Sequence, residues 1–335
     1  MPTAPRFWKR RGLAAAFFLP LSLVFRVGVS FRRWLYRLQI LRARRIGVPV
    51  IVVGNIAVGG SGKTPVVLWL AERLQQSGRR PGIVSRGYAG TAKGTEAVLK
   101  TSDPKRSGDE PVLLARRSGC PVWVGRDRVA AARALLQAHP EIDVILTDDG
   151  LQHYRLARDI EIVVVDNHQL GNRWLLPAGP LREPLRRLNS CDLVLAHGDL
   201  QPEVRALCPP VPVYRMQLMP TAFYQLCQPL RRHAPSEFGT TRIRALAGIG
   251  RPERFFDTLR ELGFELAETR AFPDHHVFSA DDLPRGTDVI VVTEKDAVKL
   301  SSFAPEQTWV LPVDAEIRNE AFEYILERLN GCKAA

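Results

Sequence analysis

The segment Ala57-Val-Gly-Gly-Ser-Gly62-Lys63-Thr64 constrains this chain more than any other. It follows the apolar β-branched run Val50 to Val53 and precedes a helical pattern that begins at Val66, which is the strand, loop and helix order of a phosphate-binding loop. Glycines at 59, 60 and 62 and the small Ser61 let the backbone wrap around phosphate oxygens, so that amides and a helix N-terminus point at them. Lys63 is placed to reach the β and γ groups of ATP, and the Thr64 hydroxyl to ligate Mg2+. Ala57 stands where the general Walker pattern has a glycine, and its small side chain weakens the match only slightly.

Around this loop, continuous apolar runs alternate with helical periodicity. Strands are predicted over Val48 to Val53, Gly82 to Ser85, Pro121 to Val124, Ile142 to Leu146, Ile160 to Val165 and Asp192 to Ala196. Helices are predicted over Val66 to Gln76, Glu110 to Arg117 and Val129 to His139, with Gly78 and Gly119 as stops. Such a pattern implies an α/β fold, a P-loop NTPase-type mainly parallel sheet with helices on both faces. A second alternation predicts a smaller α/β lobe: strands Ile243 to Ala247, Val289 to Val292 and Trp309 to Val313, with helices Pro252 to Leu262, Ala297 to Ser301 and Asn319 to Leu329. The Pro-rich stretch Leu200 to Thr241 reads as the connection. The expected organisation is an N-terminal segment 1–46, a P-loop core 47–210 and a second lobe with linker 211–335.

Charge sets the N-terminal segment apart. The chain carries +12 overall, yet the first 46 residues hold eleven basic groups and no acidic one; the other 289 carry 36 basic against 35 acidic groups. At about 100° per residue, Leu13, Phe17, Leu21, Val24, Phe31, Leu35 and Leu38 fall on one side of a helix, with Arg26, Arg33 and Arg37 opposite. A bilayer crossing takes about 20 apolar residues, and the run Leu13 to Phe25 is shorter and broken by Pro20, which is expected to kink or restart the helix. The pattern fits a basic amphipathic helix lying in the interface of an anionic membrane, with an ordinary core helix, a signal peptide and a spanning helix as competing readings. A nucleic-acid partner is not indicated, because the basicity is absent from the core. The five cysteines, Cys120, Cys191, Cys208, Cys227 and Cys332, are odd in number and lack a C-x-x-C pair, so they read as reduced thiols of a cytosolic compartment.

Three further constellations carry chemistry. Asp148 and Asp149 stand at the tip of an apolar run, where a Walker B carboxylate belongs, although Asp-Asp-Gly is also ordinary turn chemistry. Asp109 and Glu110 open a predicted helix, where a carboxylate serves either as a cap or as the base that a kinase needs. His275 and His276 lie on a loop of the second lobe and could share a proton with a carboxylate across a cleft.

Taken together the pieces resemble the bacterial tetraacyldisaccharide 4'-kinase (lipid A 4'-kinase) family. The matching segments are Val53 to Pro65, Ser85-Arg-Gly-Tyr88, Gly108-Asp-Glu-Pro111, Asp148-Asp-Gly-Leu-Gln-His153, Leu176 to Glu183, Gly248-Ile-Gly-Arg-Pro252, Phe272-Pro-Asp-His-His276 and Thr293-Glu-Lys-Asp-Ala-Val-Lys-Leu300. The resemblance implies transfer of the γ-phosphoryl group of ATP to the 4'-hydroxyl of a membrane-embedded tetraacyl glucosamine disaccharide 1-phosphate. It implies peripheral or monotopic attachment at the cytoplasmic face of the inner membrane, contact with its anionic lipids, and no obligate protein partner. It makes Asp109 the base assisted by a histidine, His275 rather than His276, and gives Asp148 and Asp149 to magnesium. Gln152 would lie beside the nucleotide or metal, and Arg86, Arg126 and Arg182 would be phosphate or substrate contacts. A membrane-recruited P-loop ATPase switch is the alternative.

Overall fold

The computed structural model describes residues 5–331 except 240, 285 and 287, so Cys332 lies outside the described residues. In chain order the strands are β1 Val50–Gly54, β2 Pro81–Ser85, β3 Glu96–Val98, β4 Val122–Val124, β5 Val144–Asp148, β6 Ile160–Asp166, β7 Leu193–His197, β8 Val213–Pro220, β9 Phe223–Gln225, β10 Arg232–His233, β11 Ile243–Ala247, β12 Leu266–Ala271, β13 Val289–Thr293, β14 Thr308–Leu311 and β15 Val313–Ile317. The helices are α1 Leu13–Phe17, α2 Leu19–Arg37, α3 Lys63–Gln76, α4 Pro104–Ser107, α5 Asp109–Arg117, α6 Arg128–Ala138, α7 Asn167–Leu170, α8 Pro202–Arg205, α9 Pro252–Glu261, α10 Glu294–Leu300 and α11 Asn319–Gly331.

The large sheet has the order β15-β8-β7-β6-β1-β5-β2-β4-β3. Its seven inner strands are parallel, and β15 and β3 close the edges antiparallel. Both faces are covered, which is why β1, β5 and β6 are buried along their whole length. Ile51 and Val53 pack on one face with Val66, Leu70 and Leu74 of α3 and Ile325 of α11. Val50 and Val52 point to the other, with Val129, Ala132 and Leu135 of α6. The second lobe repeats the plan around a sheet of order β10-β9-β14-β13-β11-β12, with Phe256 and Leu259 of α9 on one face and Ala297 and Leu300 of α10 on the other.

The lobe boundary differs from the expected 211–335. The predicted connection contains β8, which pairs in parallel with β7 of the core, and β9, which belongs to the second sheet. The predicted strand Trp309 to Val313 is two strands separated by Pro312: β14 in the second sheet and β15 in the first. The chain thus crosses at Thr221 and returns at Pro312, where Thr221 N donates to the Pro312 carbonyl at 3.0 Å, and α11 packs back on the core through Phe322 against Trp69. The separate lobe spans 221–312. Strand β8 is half-buried and mixed in polarity, so it lacks the apolar run that marks the central strands in the sequence.

At the N-terminus, the helix breaks at Phe18 and restarts with Pro20 in the first turn of α2, where a missing backbone donor is tolerated. Helix α2 docks through Ser22, whose hydroxyl donates to the Leu175 carbonyl at 2.9 Å and accepts from Ala178 N at 3.0 Å. Trp8 Nε1 donates to the Pro177 carbonyl nearby. Leu13, Phe17, Leu21, Val24, Phe31 and Leu38 face outward, Leu13 with 92% and Phe17 with 79% of their surface exposed. Among the described residues no helix is long and apolar enough to cross a membrane.

Beneath the segment that carries Arg182, the buried Arg187 guanidinium bonds to Glu161, ion-pairs with Glu183 at 3.3 Å and donates to Ser190 Oγ at 3.0 Å. Removing one partner of a buried pair strands the other charge in a dry environment. Arg187→Leu should therefore cost about 3–5 kcal/mol in a urea-unfolding experiment; a cost under about 1 kcal/mol would show that water reaches these carboxylates.

Candidate functional site

The phosphate loop is held from below. Buried Asn55 donates from Nδ2 to Ser61 Oγ at 3.1 Å and to the Gly59 carbonyl at 3.3 Å. Gly62, at φ 81°, occupies the left-handed region as the N-cap of α3, so the turn ends with amides directed outward at a helix N-terminus. Because β1 and β5 run parallel with Val53 opposite Asp148, the end of β5 lies beside the loop.

The two carboxylates at that strand end live in opposite environments. Asp148 is buried, and neither of its oxygens has a hydrogen-bond partner among the described residues. Burial, reinforced by the charge of Glu110, pushes its carboxyl up to about 7 against the pull of Lys63. Asp149 sits at φ 50° and receives Arg182 Nη1 on both oxygens, at 3.1 and 2.9 Å, with Lys63 Nζ at 3.6 Å. Burial opposes its ionisation, but Lys63 and Arg182 prevail and hold it well below the usual carboxylate range. Arg128, buried at the start of α6, donates to the Asp149 backbone carbonyl at 2.9 Å and fixes the turn.

Across the cleft, Gly108 at φ 93° lets α5 start against the turn after β2; a β-carbon there would come within 2.7 Å of the Tyr88 carbonyl. Asp109 follows as the first residue of α5. The N-cap is Gly108, so Asp109 is not the cap. Its carboxylate accepts from Glu110 N at 2.9 Å and lies 3.0 Å from His275 Nδ1 through both oxygens, with Lys299 Nζ at 3.9 Å. Burial works against the charged form, but the His275 hydrogen bond and the charges of Lys295 and Lys299 outweigh it, leaving the carboxyl below its ordinary value. His275 reaches across from the second lobe on a loop at φ 62°, its ring 5.0 Å from that of Tyr88. His276 turns away, stacked on Phe272 and 3.2 Å from Asp282.

The cleft between the lobes is lined by Gly59 to Thr64, Arg86, Glu110, Asp148, Asp149 and Arg182 from the core, and by Gly250, Arg251, Asp274, His275 and Lys295 from the second lobe. Gly250 approaches so closely that a β-carbon there would stand 3.3 Å from Gly60 N. The lobes are tied by Lys295 to Glu110 at 3.0 Å, by Arg117 to Glu294 at 2.5 Å and by Arg251 to Asp166 at 2.9 Å.

Three expected residues are absent from the cleft lining: Asp109, which lies behind His275, and Gln152 and Arg126. The Gln152 amide donates to the Asn55 carbonyl at 3.0 Å and to Glu183 at 2.9 Å, so it braces the base of the loop instead of facing a ligand. Arg126 is exposed. Arg128, Lys295, Lys299 and Arg251 received no role from the sequence; their partners lie too far along the chain for spacing to reveal, although Arg251, Lys295 and Lys299 belong to segments already noted. The assembled groups suit transfer of a phosphoryl group: a loop for phosphates, unpartnered buried carboxylate oxygens for a cation, and an ionised carboxylate to take a proton.

The sequence profile of the tetraacyldisaccharide-1-P 4'-kinase family matches residues 14–330. A protein of Azoarcus sp. named tetraacyldisaccharide 4'-kinase is 54% identical over 333 residues, covering 98% of this chain and 96% of the relative. One from Aromatoleum aromaticum with the same name is 55% identical over 327 residues, covering 97% of each. Among solved structures, the LpxK protein of Aquifex aeolicus in complex with ATP is similar at a TM-score of 0.82 and 28% identity, covering 95% of this chain and all of that one.

The lowered Asp109 carboxyl has a consequence for stability. A group whose folded value lies beneath its ordinary 3.8 stabilises the fold above that pH, and the contribution disappears as pH falls through the folded value. Asp109→Asn should therefore be less stable than wild type near pH 7, and the gap should close in acid, as pH falls below the ordinary 3.8 and through the lower folded value. Urea unfolding near pH 7 and in acid checks this, and a gap that persists in acid would assign the loss to packing.

Proposed function

The chain belongs to the tetraacyldisaccharide-1-P 4'-kinase family, and from that premise we propose that Asp109 is the base that takes the proton of the sugar hydroxyl as it is phosphorylated. The protein is an ATP-dependent phosphotransferase with an alcohol acceptor, moving the γ-phosphoryl group of ATP to the 4'-hydroxyl of a tetraacyl glucosamine disaccharide 1-phosphate. The observation that carries the proposal is a buried Asp109 bonded to His275 of the opposite lobe, which lines the same cleft as the phosphate loop.

The division of labour follows from the geometry. Amides of Gly59 to Thr64 and the Lys63 ammonium receive the phosphates. The unpartnered Asp148 oxygens, with the Thr64 hydroxyl, suit a hard divalent cation, and Mg2+ bound there would neutralise charge on the phosphates. Asp149, occupied by Arg182 and Lys63, holds those cations at the phosphate end of the cleft more than it serves a metal directly. The hydroxyl oxygen attacks the γ-phosphorus in line, the bond to the bridging oxygen breaks to release ADP, and the hydroxyl proton passes to Asp109. His275 keeps the carboxylate oriented and ionised beforehand.

The acceptor's acyl chains belong in a bilayer, whereas ATP is in water, so the reaction needs an enzyme at the interface. The outward face of α1 and α2, with Arg26, Arg32 and Arg37 exposed beside it, supports peripheral attachment to an anionic membrane, which for this substrate is the cytoplasmic face of the inner membrane.

Incubation of the protein with labelled ATP, Mg2+ and the tetraacyl disaccharide 1-phosphate should yield the 4'-phosphorylated lipid, and absence of that product would sink the assignment. Asp109→Ala should lower kcat by roughly 10²–10⁴-fold with little change in ATP affinity, whereas Lys63→Ala should damage both; lost nucleotide binding in Asp109→Ala would point to a structural role. For the membrane face, the protein should sediment with vesicles containing anionic phospholipid, less so at high salt, and the double variant Leu13→Glu, Val24→Glu should bind about tenfold more weakly. Unchanged binding by that variant would place the contact elsewhere.

A further inference from the structure

Lys295 is the second residue of α10 and lies in a ring of groups from three directions. Its ammonium meets Glu110 of α5 at 3.0 Å, Asp274 at 3.0 Å and Nε2 of His275 at 3.4 Å. The groups facing His275 are Asp109 from α5, Asp274 on its own loop with Oδ2 3.7 Å from Nε2, Lys295 from α10, and the Tyr88 ring after β2; Lys299 of α10 faces Asp109 behind it.

An ammonium has three donors and no acceptor, so it meets a ring nitrogen favourably only when that nitrogen offers its lone pair. Nε2 beside Lys295 is therefore unprotonated, and the ring proton resides on Nδ1, where the Asp109 carboxylate accepts it. Without the ammonium, Asp274 would become the nearest charge to Nε2 and would draw a second proton there, giving an imidazolium between two carboxylates. Such a cation would bind the Asp109 electron pair more tightly and make the carboxylate a poorer base. We propose that Lys295 is a positioning residue for this reaction, fixing His275 as the neutral Nδ1–H tautomer and so keeping Asp109 available for the acceptor's proton. Because the same ammonium ties Glu110 of the core to Asp274 of the second lobe, the tautomer is set only where the two lobes meet.

The inference rests on the reading of Asp109 as the base, and the two are tested separately. Full-length protein labelled with 15N-histidine, assigned with His275→Gln, should show His275 at about pH 7.5 with the distinct nitrogen shifts of a neutral Nδ1–H ring. In Lys295→Met the two shifts should converge on those of an imidazolium, while kcat falls about thirtyfold and the KM for ATP stays within about twofold. A wild-type ring found as the Nε2–H tautomer or as imidazolium would overturn the proposal without recourse to any variant. So would a Lys295→Met protein whose His275 signals are those of wild type, whatever its turnover. Full turnover by Asp109→Asn would instead defeat the base assignment and leave the tautomer measurement standing on its own.

Discussion

The parallel pairing of β1 with β5 is the constraint from which the cleft follows. A parallel neighbour delivers its C-terminal end to the same edge of the sheet as the loop after β1, and the register of Val53 with Asp148 fixes how far that end extends. Once both strands are buried on both faces, neither can slide without moving apolar side chains out of two cores at once. The phosphate loop and its acidic neighbours thereby inherit their positions from the most deeply packed part of the molecule.

The proposed proton acceptor is built on a different principle. Asp109 comes from the core and its partner His275 from the other lobe, on a loop in left-handed backbone conformation, so this half of the site exists only where the lobes touch. Two connections, β8 into β9 and β14 into β15, form the only crossings of the described chain between the lobes, and the other ties include the ion pairs of Arg251 with Asp166 and Lys295 with Glu110, the Tyr88–His275 ring contact and Val298 of α10 in the core's apolar cluster.

How much was legible follows from how each piece is stabilised. Strands β1, β5, β6 and β7 are nearly wholly buried and wrote themselves into the sequence as apolar runs. Strand β12, at a sheet edge, alternates half-buried with exposed positions as Leu-Ala-Glu-Thr-Arg-Ala and left no such trace, as did the short edge strand β3. Within the site, the loop around Lys63 announces itself because its chemistry is local. The pairing of Lys295 with Glu110 spans 185 residues and that of Arg117 with Glu294 spans 177, and a charged residue on a helix looks the same from the sequence whether it meets water or a distant carboxylate. Arg128 was hidden for the same reason: it begins α6 like any solvated arginine, yet it is buried and spends its guanidinium on the carbonyl of Asp149.

Asp148 and Asp149 are the sharpest case of environment deciding role between adjacent identical residues. Strand geometry sends them in different directions, and the turn at Asp149, held by Arg128, enlarges the difference. Asp148 ends in a buried place with no hydrogen-bond partner among the described residues, where an ionised carboxylate is costly and a divalent cation would relieve the cost. Asp149 has two cations already and remains charged without help. In the proposed reaction, one carboxylate would take a counter-charge brought with the nucleotide, and the other would hold Lys63 and Arg182 ready for the phosphates, so that the cleft would have its cations arranged before the substrate enters and little reorganisation would be left for the transfer itself.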